Sequence, residues 1–232
     1  GTRNTAIGYG AYTASDTEND NLAIGYEAMT DNTNGGTVNI AVGNYALHDL
    51  VGGDSNMALG YNSLAKLTTG NNNIAIGKNS LETVVTSSNN TAIGHLALQL
   101  NTAGYNTAVG ANTMENVAAA EKNTAIGNQS MQSTTGGGYN TALGSQSLLD
   151  NTTGTHNTAI GYQSNHNNIE SNNNTSVGNG AMYYNTAGAN NACLGSGAGY
   201  NITTGSNNVA MGNRALASNT TASNNTALGF KA

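Results

Sequence analysis

Carboxylates and histidines are the residue types in this chain that could act on a substrate. The chain has twelve Asp and Glu residues, and glycan-cleaving enzymes need two carboxylates that face one bond. Asp31, Asp49 and Asp150 share one position of a sequence repeat, in copies that we interpret as too far apart to cooperate. Glu82 and Glu115 share another position two copies apart, so we expect roughly 10 Å between them at the spacing of β-strands. The prediction is that the protein is not an enzyme and has no catalytic residues.

Metal and cofactor sites are also not predicted. Asp16, Glu18 and Asp20 alternate in a way that could present oxygens to Ca²⁺, but such a short charge run is typical of a solvated acidic loop. The four histidines lack the spacing of metal ligands and are interpreted as loop or surface residues: His48, His95, His156 and His166. The single cysteine, Cys193, replaces an alanine of the repeat, which indicates a small apolar residue in a packed column.

Composition excludes two classes of partner. Only 8% of the residues are charged and the net charge is −6, whereas nucleic-acid binding depends on clustered Lys and Arg. No run approaches the ~20 apolar residues that span a bilayer. We expect neither a nucleic-acid partner nor membrane insertion by this segment.

A five-residue phrase, Asn-x-Ala-aliphatic-Gly, recurs fourteen times, and eleven of the thirteen intervals between its Asn residues are 17 residues long. A fixed period of this length predicts a solenoid whose unit is one turn of β-structure, since helical repeats need more residues. We call each repeat a coil, number its Asn as position 0, and call the residues at one position in successive coils a column. The prediction is a single solenoid domain over residues 1–232, which we expect to be a segment of a longer fibrous protein.

Two columns are expected to stabilise the stack. The Asn side chains fall into register, where each amide can bond to the next, giving a structural ladder of Asn4, Asn21, Asn39, Asn56, Asn73, Asn90, Asn106, Asn123, Asn140, Asn157, Asn174, Asn191, Asn208 and Asn225. Position 3 is apolar in every coil, which predicts a buried core column of Ile7, Ile24, Val42, Leu59, Ile76, Ile93, Val109, Ile126, Leu143, Ile160, Val177, Leu194, Met211 and Leu228.

Each coil is expected to contain two short strands and a loop. Position 2 is Ala in twelve coils, and alternation places it on the strand face opposite to position 3. A small residue at position 7 and an apolar residue at position 8, such as Ala46 and Leu47, predict a second strand. Which apolar column faces the coil interior and which faces a partner chain stays open.

A stack this thin is expected to associate with copies of itself. Each coil offers about two aliphatic side chains at about 1.5–3 kcal/mol each, against seventeen residues whose ordering costs about 1–2 kcal/mol apiece. Burial of the second apolar face between parallel chains would offset that cost, which predicts a homo-oligomer.

Two surface features suggest possible ligands. Tyr9, Tyr26, Tyr61 and Tyr162 follow the repeat glycine and are candidate contacts for a sugar, although other residue types interrupt their column. Position 1 is Thr in eight coils, and a flat Thr ladder would favour ice or another lattice as the alternative ligand. Its position on the same strand face as the aliphatic column argues against that alternative.

The phrase Asn-Thr-Ala-Ile-Gly, followed by a small residue and Leu or Met, resembles the repeat of YadA-like heads of trimeric autotransporter adhesins and is similar to repeats of bacteriophage long tail fibres. The resemblance covers all fourteen copies and implies a left-handed parallel β-roll in a homotrimeric rod. It also implies an extracellular location, on a virion tail fibre or a bacterial cell surface, and attachment to a cell-surface glycan or protein receptor. The expected function is therefore a non-enzymatic fibre segment that spaces or presents an attachment function.

Overall fold

The computed structural model of the chain describes residues 1–14, 17–32 and 34–232. Its contacts form two compact units, Gly1–Ala118 (unit 1) and Ala119–Ala232 (unit 2). Each unit is a parallel β-solenoid in which successive strands are offset by 17 residues in most coils. The predicted all-β solenoid is thus confirmed, whereas a single domain over residues 1–232 stays a prediction.

In the described part of unit 1, each coil contains one three-residue strand. Each strand pairs in parallel with the next, so that Leu22 lies opposite Ile40 across the 18-residue interval and Thr91 lies opposite Thr107 across the 16-residue interval. Changes in coil length are therefore absorbed outside the strands. The strands are β1 (Thr5–Ile7), β2 (Leu22–Ile24), β3 (Ile40–Val42), β4 (Met57–Leu59), β5 (Ile74–Ile76), β6 (Thr91–Ile93) and β7 (Thr107–Val109).

Unit 2 repeats this arrangement with uniform offsets, as in the pairing of Thr141 with Thr158. The glycine that ends each strand is required by a close approach between coils. Gly144 has φ +139°, and a Cβ there would lie 2.5 Å from the carbonyl oxygen of Gly161 in the next coil. The strands are β8 (Thr124–Ile126), β9 (Thr141–Leu143), β10 (Thr158–Ile160), β11 (Thr175–Val177), β12 (Ala192–Leu194), β13 (Val209–Met211) and β14 (Thr226–Leu228).

The predicted second strand of each coil is wrong. Positions 7 and 8 lie in turns, and the backbone at positions 6 and 8 is left-handed, with φ 58° at Gln146 and φ 49° at Leu148. Two left-handed residues this close reverse the chain direction, which no extended strand allows. The turns still bond from coil to coil, as Leu148 donates its N–H to the carbonyl of Ser164 at 3.0 Å.

The position 8 side chains form the interior of both units. Leu47, Leu98 and Leu148 are fully buried, as are the Ala residues of position 2 that face them across the coil. Because position 2 points inward, positions 1 and 3 of the same three-residue strand must point outward.

The predicted core column at position 3 does not face the coil interior, because all of its residues lie on the outward face of their strands; its burial between chains stays a prediction. The exposed fraction is 58% at Ile7, 40% at Ile126 and 45% at Leu143. No residue of the column is buried: exposed are Ile7, Leu59, Ile93, Ile126, Leu143, Met211 and Leu228, and half-buried are Ile24, Val42, Ile76, Val109, Ile160, Val177 and Leu194.

A third interior column lies at position 11, within the segment that the sequence indicates as a loop. It is apolar in several coils, namely at Leu50, Leu67, Val84, Val117 and Ile202. In three successive coils of unit 2 it is Asn151, Asn168 and Asn185, which are fully buried. Asn168 donates from Nδ2 to Oδ1 of Asn151 at 2.5 Å. Two buried amides of this column are therefore bonded to each other, while Nδ2 of Asn185 donates to Oγ of Ser171 and to the carbonyl of Gly188 instead.

Candidate interaction surfaces

The Asn column satisfies backbone groups at a corner of each coil. Nδ2 of Asn140 donates to the carbonyl of Gly154 at 2.8 Å, which closes the loop of its own coil. Oδ1 of Asn140 accepts the N–H of Asn157 at 2.8 Å and the Nδ2 of Asn157 at 3.2 Å. The residue before Asn140, Tyr139, is left-handed with φ 61°. The side-chain amide of Asn140 thus provides an acceptor for the backbone N–H of Asn157, which lies just before the strand of the next coil and has no partner in the strand pairing.

The same pattern recurs in both units. In unit 1, Asn39 accepts the N–H of Asn56 at 2.8 Å. In unit 2, Asn191 accepts the N–H of Asn208 at 2.9 Å. All members of the column are buried except Asn4 and Asn225, which are half-buried. We infer a structural role, since the amide groups are used within the chain.

The outward strand face of each unit combines two columns. Position 3 supplies aliphatic side chains, and position 1 supplies Thr or further aliphatic residues. In unit 1 the position 1 side chains are mainly apolar, with exposed fractions of 36% at Met57 and 37% at Ile74. In unit 2, Thr124, Thr141 and Thr175 are exposed and lie in neighbouring register through Thr158. Each unit therefore presents a sheet face made of contiguous rows of apolar and hydroxyl side chains.

Tyrosines form a continuous row in unit 1, contrary to the interrupted column that the sequence indicates. The third coil has Asn44 at the position after the glycine, but Tyr45 beside it fills the gap. Ring centroids lie 5.5 Å apart from Tyr9 to Tyr26, 5.4 Å from Tyr26 to Tyr45 and 5.9 Å from Tyr45 to Tyr61. The sequence signal was present, because Tyr45 is adjacent to the column.

The tyrosine rings in this row pack against one another through their ring faces. Tyr9 and Tyr26 are stacked at an interplanar angle of 11°, while Tyr45 meets its two neighbours edge to face. A sugar stacks on a free ring face, so this arrangement favours packing among the tyrosines over a flat sugar platform. Tyr162 lies in unit 2 and is exposed. Ring contacts in that unit join three other tyrosines: Tyr183, Tyr184 and Tyr200.

An open groove of about 320 Å³ lies on unit 2 near its last coils. Tyr200, Asn201 and Arg214 line it, together with Asn179 and Ser218. Amide, hydroxyl and guanidinium groups here face solvent and offer hydrogen bonds to a polar ligand. The residues that line this groove come from three separate repeats, so only the folded coils bring them together.

The acidic first loop is only partly solvated. Asp16 lies outside the described residues. Glu18 is buried, and its Oε1 accepts the N–H of Gly35 at 3.0 Å, so its interpretation as a solvated charge is wrong. Asp20 is exposed and pairs with Arg3 at 2.5 Å. The hydrogen bond from Arg3 lowers the pKa of the Asp20 carboxyl and raises the pKa of the guanidinium.

The interpretation of Asp31 and Asp49 as too far apart is wrong. They occupy the same position in adjacent coils, and their carboxylates lie with the imidazole of His48 in one cluster whose ligand atoms are within 4.8 Å of one another. Sequence numbering alone could have shown this, because the two residues are one repeat apart. Asp150 belongs to unit 2.

Cys193 occupies the interior position expected for it. It is fully buried, and its neighbours in register are Ser176 and Ala210. Burial raises the pKa of the Cys193 thiol to about 12. The thiol therefore stays protonated at neutral pH, and the reactive thiolate does not form there.

Comparisons with known proteins do not supply a family for the chain. Residues 1–14, 17–32 and 34–232 contain no helical segment with the length and hydropathy of a membrane span. No protein-family model, curated protein or solved structure matches the sequence or the fold.

Proposed function

We propose that this chain is a non-enzymatic structural or adhesive fibre segment on the surface of a virion or a bacterial cell. Three copies associate in parallel as a homotrimer, and the rod that they form spaces or presents an attachment function. The target is a glycan or protein on another cell. The loops between strands, which differ from coil to coil, supply whatever contacts that target makes.

The outward aliphatic column carries this proposal. Side chains such as Leu143 and Ile126 are about half exposed in the single chain although every coil keeps an apolar residue there. Monomeric proteins rarely expose contiguous apolar surface of this extent. Covering each half-exposed aliphatic side chain would contribute about 1 kcal/mol. A second copy of the chain, whose own column has the same spacing, is the occupant with matching geometry.

The resemblance of the repeat phrase to YadA-like heads and to phage tail fibres supports the trimer and the surface location. It also supports a left-handed winding of the coils. The hydrogen bonds of the Asn column, which join each coil to the next within a unit, provide the resistance to bending and proteolysis that a fibre needs.

Light scattering of the purified chain tests the assembly. We expect three times the mass of one chain, and we expect Ile126→Asp and Leu143→Asp to give single chains with an unchanged far-ultraviolet spectrum. Asn173→Asp, an exposed loop residue in the same unit, is the matched control and should leave the trimer intact. A wild-type chain that is folded and monomeric at high concentration would contradict the proposal.

Ice or another crystalline lattice is the second candidate ligand, and the Thr row of unit 2 favours it. Thr124, Thr141, Thr158 and Thr175 are in register on the outward strand face, and three of them are exposed. Lattice binding requires this face to be free, whereas the trimer covers it. Thermal hysteresis in a monomeric wild type, abolished by Thr141→Tyr, would establish the lattice function, and a trimer without hysteresis would exclude it.

A further inference from the structure

A side-chain cluster in unit 1 combines two carboxylates and one imidazole on neighbouring coils. Asp31 is at position 10 of the second coil, and His48 and Asp49 are at positions 9 and 10 of the third. The N–H of Asp31 donates to the carbonyl of His48 at 3.1 Å, which sets the two coils in register at this point. One ligand atom from each of the three side chains lies within 4.8 Å of the others.

Negative charge exceeds positive charge around this imidazole. Nδ1 of His48 lies 2.5 Å from Oδ1 of Asp49, and Nε2 lies 3.7 Å from Oε2 of Glu27. Within the described part of the chain, the Asp31 carboxylate makes no hydrogen bond or ion pair of its own. At a separation of at most 4.8 Å, two such carboxylates repel each other by at least about 1 kcal/mol in water and at least about 3 kcal/mol at the effective dielectric constant of a protein surface. A divalent cation would remove that repulsion.

We propose that Asp31, His48 and Asp49 bind a divalent first-row transition metal such as Zn²⁺. An imidazole nitrogen with two carboxylate oxygens suits Zn²⁺ and its neighbours, whereas Ca²⁺ and Mg²⁺ prefer oxygen alone. Zinc takes such ligands at about 2.0–2.2 Å, so its tetrahedral ligands lie about 3.3 Å apart. Nδ1 of His48 and Oδ1 of Asp49, now 2.5 Å apart, must therefore open by about 0.8 Å, and Asp31 must close by at most about 1.5 Å. Surface rotamers allow both movements because His48 and Asp49 are only partly buried and Asp31 is exposed.

Glu27 completes the arrangement from the far side of the ring. When Nδ1 of His48 binds the metal, Nε2 carries the proton and faces Oε2 of Glu27, now 3.7 Å away. A carboxylate in that position orients a metal-binding imidazole and raises its basicity. Solvent supplies the remaining coordination position.

The chain contains a near-copy of this cluster in unit 2. The N–H of Asp150 donates to the carbonyl of His166 at 3.0 Å, as Asp31 does to His48. Asn167 stands where Asp49 stands, and its Oδ1 lies 2.7 Å from Nδ1 of His166. His166 is also covered by the ring of Tyr183, with centroids 4.7 Å apart. The near-copy has one carboxylate fewer and a less accessible imidazole, so it serves as an internal control.

An ion pair without metal is the competing explanation of the cluster. A protonated His48 would satisfy Asp49 and Glu27, and Lys66 follows Asp49 at the same position of the next coil. That explanation predicts no saturable uptake of metal. It also predicts that His48→Gln and His166→Gln behave alike toward added Zn²⁺.

Calorimetric titration of the untagged, chelator-treated full chain with Zn²⁺ at pH 7 tests the proposal. We expect saturable binding of about one Zn²⁺ per chain. Binding should become at least about tenfold weaker in His48→Gln and in Asp49→Asn, and should be unchanged in His166→Gln. Circular dichroism confirms that each variant is folded.

The results that overturn the proposal are equally definite. They are an absence of saturable binding by the wild type, binding retained in either His48→Gln or Asp49→Asn, or an equal loss in His166→Gln. Ca²⁺ bound as tightly as Zn²⁺ would also overturn it, since an imidazole ligand disfavours Ca²⁺.

Discussion

Nδ2 of Asn157 donates to Oδ1 of Asn140, its counterpart one coil earlier, at 3.2 Å, while the N–H of Asn157 donates to the same oxygen at 2.8 Å. Nδ2 of Asn157 also donates to the carbonyl of Ser171 at 2.8 Å. The side-chain amide of Asn157 is thus oriented by these two Nδ2 contacts, which require a nitrogen, and by its Oδ1, which accepts the N–H of Asn174 at 3.0 Å. Asn is the residue that can both accept from one backbone group and donate to another here.

Asn157→Asp should destabilise unit 2 by about 2–4 kcal/mol, because a carboxylate oxygen would then face the oxygens of Asn140 and Ser171 without a proton between them. Chemical denaturation measures the loss. Asn173→Asp, the same isosteric change at an exposed site, should cost less than about 0.5 kcal/mol. Equal stability of the two variants would contradict the structural role of the Asn column.

Leu148→Ala and Leu143→Ala compare the contribution of an interior side chain with that of an outward side chain in the same coil. Leu148 is fully buried, so its truncation should cost about 2–4 kcal/mol of unfolding free energy whatever the protein concentration. Leu143 is 45% exposed in the chain, and its truncation should instead weaken association between chains. Denaturation at several protein concentrations, compared with light scattering, distinguishes a loss of unfolding free energy from a loss of association. If Leu143→Ala lost more unfolding free energy than Leu148→Ala, the interior would have been assigned to the wrong column.

Asn165→Leu should stabilise unit 2 by about 1–2 kcal/mol. Asn165 is fully buried at the position that Leu148 and Met182 occupy in the flanking coils, and neither Oδ1 nor Nδ2 of its side chain has a hydrogen-bond partner. Leucine already adopts the required left-handed backbone at Leu148, where φ is 49°. The reverse change, Leu148→Asn, should destabilise, and a loss of stability in both variants would contradict this account.

Cys193 should make stability depend on pH in the alkaline range. Because burial raises the pKa of its thiol to about 12, the folded chain keeps the proton after the unfolded chain has lost it. This contribution to stability is complete below about pH 8.5 and declines as the pH rises toward the folded pKa. Between pH 8 and 10, wild type should lose about 1–2 kcal/mol more than Cys193→Ala. Parallel denaturation curves for the two proteins at each pH would show that the thiol is not buried.

Asn167→Asp should give unit 2 a metal site. The change supplies the carboxylate that the cluster of Asp150 and His166 lacks. With it, that cluster has the same ligand types as the cluster of Asp31, His48 and Asp49 in unit 1. The same Zn²⁺ titration should then show about two equivalents per chain instead of about one, the second being weaker because Tyr183 covers the imidazole. Asn173→Asp controls for the added charge, and a stoichiometry that stays at one would show that the carboxylate alone does not distinguish the two clusters.

Much of the fold follows from the sequence because its repeat is so regular. The 17-residue interval and the alternation around Ala142 predict parallel coils with the Asn column in register, since equal spacing brings like residues together at each turn. The same equal spacing also predicts that the candidate metal ligands lie close together. Asp31 and Asp49 are one repeat apart, and His48 adjoins the second of them, but the loop that contains them had no pattern that indicated a site.

Only the tertiary structure decided which apolar column lies inside. Alternation places positions 2 and 3 on opposite faces of a strand, as with Ala142 and Leu143, but does not state which face the rest of the coil covers. The left-handed residues at positions 6 and 8, such as Gln146 and Leu148, turn the chain so that Leu148 packs against the alanine side. Since leucine rarely adopts that backbone, no local preference in the sequence predicts the turn. The coil-to-coil hydrogen bonds and the burial of Leu148 hold it there.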